Sequence, residues 1–140
     1  MHIVSIAGGS KHNAIAKEAQ AIITVEDAAR AQAAIAKLAE AIRAEYRVAD
    51  KDIRIAAEPA TALPKMMYNG TVSCGIIDFM TMVPDGVQYM SMDIPGLVQT
   101  SLNNGILAAA GETLTFTISV RSSVKSELDE IVQVLKLCAE

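Results

Sequence analysis

The stretch Thr113-Leu114-Thr115-Phe116-Thr117-Ile118-Ser119-Val120-Arg121 decides the fold of this chain. Every second residue is apolar, and the residues between them are hydroxylated or charged. A period of two is typical of a β-strand that buries one face and leaves the other open. Because only one face is apolar, the strand is expected in a sheet that is covered on one side.

The same reasoning finds further strands on either side of this stretch. They are expected at residues 3–7, 14–25, 52–58, 87–91 and 97–108. The last of them would join the Thr113–Arg121 strand in a hairpin around Ala110-Gly111. Residues 52–58 alternate between apolar and other residues up to Pro59, so we expect an exposed edge strand there.

Three helices are predicted from apolar residues that recur at spacings of three and four. Glu26 and Asp27 would begin the first helix, and Thr71 would cap the second. Ser122 or Ser123 would cap the third. Their apolar stripes comprise Ala31, Ile35, Leu38, Ile42 and Tyr46, then Val72, Ile76, Met80 and Val83, then Leu128, Ile131, Val132, Leu135 and Cys138. The predicted fold class is α+β, a two-layer sandwich of a mainly antiparallel sheet with helices packed on one face.

The composition and net charge of the chain limit which partners and which compartment are expected. The 140 residues suffice for one domain, and a net charge of −4 without a basic patch makes nucleic acid an unlikely partner by electrostatics. Apolar runs are too short to span a bilayer, so no membrane partner is expected. No secretory signal pattern is visible, and the cytoplasm is the expected compartment. Cys74 and Cys138 are expected to be buried free thiols.

The histidine count argues against a metal site within the chain. A catalytic zinc ion normally takes about three protein ligands from histidine, acidic and cysteine residues. The only histidines are His2 and His12, and no paired acidic segment accompanies them. The sequence therefore predicts no metal ligands and no catalytic residues of its own. The Gly8-Gly9-Ser10-Lys11 segment also lacks the glycine spacing of a phosphate-binding loop.

Two polar residues are candidates for binding. The alternation of the deciding strand places Arg121 on the open face beside a row of hydroxyls, where a guanidinium suits a carboxylate or phosphate. A solvated arginine at a strand end is the alternative. Asn13 follows a Gly-Gly turn, and there it could serve either a ligand or the turn itself.

Three motifs resemble one family. They are Gly8-Gly9 followed by Asn13-Ala14-Ile15 and Glu18-Ala19, then Gly96-Leu97-Val98-Gln99-Thr100-Ser101-Leu102-Asn103-Asn104-Gly105, then Val120-Arg121-Ser122-Ser123. Their order and spacing resemble the lid domain, also a dimerisation domain, of the aminoacyl-histidine dipeptidases, which are zinc-dependent, carnosinase-like metallopeptidases. Ala16 and Lys17 depart from the proline and arginine of the family pattern.

The resemblance implies that residues 1–140 form an incomplete lid domain of a dinuclear zinc hydrolase. Asn13 and Arg121 would bind the dipeptide substrate, with Arg121 paired to its terminal carboxylate. The catalytic domain of the same polypeptide, which holds two zinc ions in the family, has no counterpart here, so this chain alone is expected to be inactive. A Gly-Gly-His-Ser-Gly segment, a first strand and a helix of the family lid also lack a match and would lie before Met1. The uncovered edge or face that this leaves predicts a homo-oligomer.

A different reading stays open at this point. The chain could be a self-standing two-layer regulatory, ligand-binding or interaction module that shares the scaffold, since a fold alone does not determine function. Such a module need not bring Asn13 and Arg121 into one cleft. The positions of these two side chains therefore discriminate between the two readings.

Overall fold

The computed structural model describes residues 1–62, 64–110 and 112–140, and within them an antiparallel five-stranded sheet is combined with three helices. The strands are β1 (His2–Gly8), β2 (Ala19–Thr24), β3 (Gly86–Met90), β4 (Val98–Ala110) and β5 (Thr113–Ser122). The helices are α1 (Ala28–Glu45), α2 (Gly70–Met82) and α3 (Lys125–Ala139). The predicted α+β class with a mainly antiparallel sheet is confirmed.

Strand β4 is the centre of the sheet. Along one edge it pairs with β5, over ten residue pairs from Thr100–Ser122 to Ala110–Thr113. Along its other edge it pairs first with β3 and then, at Leu107, with β1. Strand β2 lies outside β1. Because β4 is 13 residues long, it can serve all three neighbours.

A β-bulge at Gly105 sets which side chains of β4 face the helices. The register with β5 shifts between Asn104 and Ile106. Leu102 therefore lies opposite Val120 and Leu107 opposite Phe116, on the same face of the sheet. Without the extra residue, two leucines an odd number of positions apart would point to opposite faces.

Helices α2 and α3 cover this apolar face. Phe79 of α2 meets Phe116 edge-to-face, with ring centroids 5.7 Å apart, an arrangement that the ring quadrupoles favour. Ser73 of α2 is fully buried, and its hydroxyl accepts the backbone N–H of Ile3 at 3.0 Å. The buried apolar side chains are Ile3, Ala39, Val83, Leu102, Leu107 and Ile131. The predicted packing of helices against one sheet face is therefore observed for α2 and α3.

The strand predicted at residues 52–58 is wrong. Its alternation is present, since Ile53, Ile55 and Ala57 are half-buried between exposed neighbours. However, the segment pairs with no strand of the described residues and lies instead along α1. Arg43 donates to the carbonyl of Ile55 at 2.9 Å, and Gln32 donates to the carbonyl of Ala57 at 3.3 Å. Alternation of apolar residues shows only that one side of a segment is covered, whereas a β-strand also needs hydrogen bonds to a neighbouring backbone. Here the carbonyls accept hydrogen bonds from side chains of α1 instead.

Two predicted caps are also wrong. Asn69, not Thr71, caps α2, with its Oδ1 accepting the N–H of Val72 at 2.9 Å. Val124 occupies the N-cap position of α3 without a side-chain cap bond, and Ser122 Oγ accepts the N–H of Val124 itself at 3.0 Å. Asp27, which was predicted at the start of α1, is its N-cap, since its Oδ1 accepts the N–H of Arg30 at 2.9 Å.

Both cysteines are free, but Cys74 is exposed on the outer side of α2 and Cys138 is half-buried, so the prediction of burial is wrong. Gly111 of the predicted turn lies outside the described residues. None of the three described helices combines the length and the apolar composition needed to cross a bilayer.

Candidate functional site

The loop of residues 9–18, which joins β1 to β2, crosses the sheet at the bulge of β4. Gly9 has φ +67°, and a Cβ there would overlap the carbonyl oxygen of Gly105. A Cβ on Gly105 would lie 2.6 Å from the Cα of His12. The two backbones are therefore in direct contact, and only glycine permits this approach at either position. This crossing also explains why β2 begins at Ala19 and not at the predicted Ala14.

Asn103 holds the loop on the open face of the sheet. Its Nδ2 donates to the carbonyl of His12 at 2.9 Å and to the carbonyl of Ala14 at 3.0 Å. Leu102 points toward the helices, so its neighbour Asn103 points to the other face. The loop consequently lies on the face of the sheet that α2 and α3 leave open.

Asn13 and Arg121 line one cavity of about 180 Å³ on this open face. Asn13 is supplied by the loop, and Arg121 by the end of β5, opposite Ser101 of β4. The cavity is lined by Asn13, Ile15, Ser101, Leu102, Asn103, Ser119 and Arg121. The structure thus brings the two predicted residues together, while their roles in binding stay a prediction.

The cavity has the chemistry of an anion site. Arg121 supplies a guanidinium, and Ser101 and Ser119 supply hydroxyls that can donate hydrogen bonds. No acidic side chain is among the lining residues. Over residues 1–62, 64–110 and 112–140, the one ion pair joins Lys125 to Asp129, so the guanidinium has no carboxylate partner there. A carboxylate in the cavity would find a fork of donors that is not already engaged.

A hydrogen-bond network steadies the strand end that carries Arg121. Thr100 is fully buried, its Oγ1 lies 2.7 Å from Ser122 Oγ, and it donates to Glu127 Oε2. Gln99 Nε2 donates to Glu127 Oε1 at 2.7 Å. Glu127 belongs to the first turn of α3, so β4, the end of β5 and α3 are fixed to one another beside Arg121.

The size of the cavity limits what it can hold. Complete pockets for small molecules measure about 300–1,000 Å³, so about 180 Å³ accommodates one end of a dipeptide. Larger cavities of about 420 and 620 Å³ have mainly apolar walls, and both involve Met80 of α2 and Phe116, on the helix side of the sheet. Neither is lined by Asn13 or Arg121.

The described residues do not fit a zinc site. Among them, no three or more histidine, cysteine, aspartate or glutamate side chains are grouped closely enough to hold a metal ion. His2 Nδ1 lies 3.2 Å from the carbonyl of Tyr68, which gives it a structural contact. His12 lies in the loop with its backbone against Gly105.

Asn103 is the residue of this site to which sequence reasoning assigned no role. Its signal was present as Asn103-Asn104-Gly105, a polar pair and a glycine inside a strand that is otherwise largely apolar. A glycine in a strand interior often marks a bulge or the close approach of another backbone. The two polar side chains before it, Asn103 and Asn104, were therefore candidates for holding that backbone.

Comparison with known proteins identifies a similar structure. The chain superposes on the crystal structure of aminoacylhistidine dipeptidase from Vibrio alginolyticus with a TM-score of 0.86 and 27% sequence identity. The match covers 99% of this chain and 28% of that enzyme, so the chain spans less than a third of its length. No protein-family model and no curated protein sequence matches the chain. The three motifs meet around one cavity, and the similarity over the whole chain confirms their resemblance to a domain-sized part of the aminoacyl-histidine dipeptidases.

Proposed function

We propose that this chain is the substrate-binding lid domain of a zinc-dependent aminoacyl-histidine dipeptidase. In this role Arg121 pairs with the terminal carboxylate of the dipeptide. Asn13 donates a hydrogen bond to the substrate carbonyl or to the oxyanion that forms on it. Both interactions are charge-assisted when the partner is anionic, and closure of a lid over them would exclude water and strengthen them.

The observation that carries this proposal is the convergence of Asn13 and Arg121 on one cavity. They lie at opposite ends of the chain and reach the cavity through different elements, a loop between β1 and β2 and the end of β5. A self-standing module that merely shares the scaffold has no reason to bring these side chains together. The similarity to a dipeptidase supplies the substrate class.

The surface of the chain supports a role as part of a larger enzyme. A compact monomer of 14.8 kDa exposes about 7,000 Å², whereas this chain exposes 10,682 Å². The excess, about 3,700 Å², is several times the 800 Å² or so that one partner buries in a standard interface. The half-sized cavity agrees with this, because a second body is needed to enclose the rest of a dipeptide.

In this proposal the zinc chemistry belongs to another part of the enzyme. Zinc supplies Lewis-acid activation of water and carbonyl in hydrolases of this kind, and the described residues have no cluster to bind it. In this proposal two zinc ions belong to the catalytic domain of the same polypeptide. The chain alone, with zinc added, is therefore expected to bind a dipeptide weakly and to leave its peptide bond intact.

The proposal is tested by titrating the chain with alanyl-histidine and with its C-terminal amide, followed by NMR. The bidentate pair of Arg121 contributes about 1.5–3 kcal/mol and the Asn13 hydrogen bond about 1 kcal/mol, so a dissociation constant of about 1–15 mM is expected for the free acid. The amide should bind on the order of tenfold more weakly because it lacks the carboxylate. Arg121→Ala should remove this difference between the two ligands.

A matched control distinguishes binding by Arg121 from nonspecific attraction of the ligand carboxylate to surface arginines. Arg54 is an exposed arginine that does not line the cavity, so Arg54→Ala should retain the preference for the free acid. If the chain does not distinguish the acid from the amide, Arg121 does not bind the carboxylate and the proposed function fails.

A further inference from the structure

We propose that Asn103 is a positioning residue for Asn13, an inference that rests on the proposed function of the cavity. Asn103 belongs to the central strand β4 and lies opposite Ser119 of β5. Its single amide group donates to the carbonyls of His12 and Ala14, which lie on either side of Asn13. The sheet thereby dictates how the loop presents Asn13 to the cavity.

The direction of the Asn13 side chain depends on the peptide planes that flank it. The His12 carbonyl belongs to the peptide group that joins His12 to Asn13. The Ala14 carbonyl belongs to the peptide group that joins Ala14 to Ile15. Because one planar amide holds both oxygens, the position of each carbonyl relative to the other is fixed, and this restricts the φ and ψ angles of Asn13 and Ala14 between them. Within the described residues, no other hydrogen bond joins residues 10–17 to the strands. Asn103 thus makes the hydrogen bonds that hold residues 10–17 of the loop to the sheet.

The two hydrogen bonds made at position 103 require an asparagine side chain. Two carbonyl oxygens require two N–H donors from one group, which a side-chain amide supplies. Aspartate has nearly the same shape but presents only acceptors when ionised, so it would face the two carbonyls without a bond. Serine has one donor. The glycine contact between Gly9 and Gly105 brings the loop to the sheet, and the Asn103 amide then determines its orientation.

The first readout is the mobility of the loop in the full chain. Backbone ¹⁵N relaxation should give order parameters near 0.85 for residues 11–16 in the unsubstituted protein and below about 0.6 in Asn103→Asp and Asn103→Ala. Two variants are used because either alone could disturb the fold, and their ¹H–¹⁵N spectra report whether the sheet is intact. Thr117→Ala is the matched control, since Thr117 is an exposed residue of β5 opposite Ile106 that does not line the cavity. Unchanged order parameters in both Asn103 variants would overturn the proposal.

The second readout is a double-mutant cycle between Asn103 and Asn13, measured by alanyl-histidine affinity. If Asn103 acts through Asn13, substituting Asn103 should lower the affinity on the order of tenfold when Asn13 is present. The same substitution should have no further effect in the Asn13→Ala background. A merely structural role would give additive losses, and additivity would overturn positioning. If neither Asn13→Ala nor Arg121→Ala changes the affinity, the proposed function is what fails, and the order parameters still decide whether Asn103 holds the loop.

Discussion

The crossing of Gly9 over Gly105 makes a quantitative prediction about stability. In Gly9→Ala, an L-residue would have to adopt φ +67°, a left-handed conformation that costs roughly 1–2 kcal/mol. Its methyl would also overlap the backbone oxygen of Gly105, which no side-chain rotation can relieve. Lifting the loop away would break the two hydrogen bonds from Asn103, at about 1 kcal/mol each. The expected loss in the free energy of unfolding is therefore about 3–4 kcal/mol.

Two other glycines of the chain separate these contributions. Gly86 has φ +79° but open space around its Cβ position, so Gly86→Ala should cost only the dihedral penalty, about 1–2 kcal/mol. Gly75 lies inside α2 with open space and no positive φ, so Gly75→Ala should stabilise the protein by about 1 kcal/mol.

Urea denaturation followed by circular dichroism measures the free energy of unfolding of all three variants. In thermal unfolding, the melting temperature of Gly9→Ala should fall by roughly 10 °C. If Gly9→Ala costs no more than Gly86→Ala, the loop does not press on β4 and the reasoning about the site is refuted.

Two further outcomes are expected. Ser73→Ala should lower the free energy of unfolding by about 1–3 kcal/mol because it leaves the N–H of Ile3 buried without an acceptor; Thr81→Ala, which removes an exposed hydroxyl from the same helix, is the control and should change stability by less than about 0.5 kcal/mol. Because the chain exposes far more surface than a compact monomer, we propose that it is a homodimer or larger assembly in concentrated solution. Sedimentation velocity that shows only monomer at high concentration would contradict this.

Periodicity was sufficient for most of the fold. The alternation in Thr113–Arg121 predicted both the strand and its polar face, and the structure places Arg121 on the open side as expected. Periodicity was less reliable for the angle at which a helix meets the sheet. In α2 the predicted stripe included Val72 and Met80, yet both are exposed, while Ser73 and Phe79 face inward. Apolar residues surround α2 on nearly all sides, so hydropathy does not single out one face, and the contact of Phe79 with Phe116 decides it.

The candidate site shows a similar limit. Motif resemblance selected Asn13 and Arg121, and only tertiary structure shows that they share a cavity. The role of Asn103 depends on a contact between residues far apart in the chain, with the His12 and Ala14 carbonyls. Backbone carbonyls are common to all residues, so a sequence carries no mark of which ones a side chain will find. The glycines at positions 9 and 105 indicate that backbones meet, but not where their partners lie.

One exposed apolar surface, that of helix α2, lies on the other side of the sheet from the cavity. Helix α2 contains a single charged residue, Asp78, and its Val72, Ile77 and Met82 are 42%, 37% and 56% exposed. A helix that is apolar all round is normally buried in a larger structure. In the proposed enzyme, a catalytic domain that closed over Asn13 and Arg121 would approach the open face of the sheet, which is opposite α2. We therefore expect self-association through α2 to persist when alanyl-histidine fills the cavity.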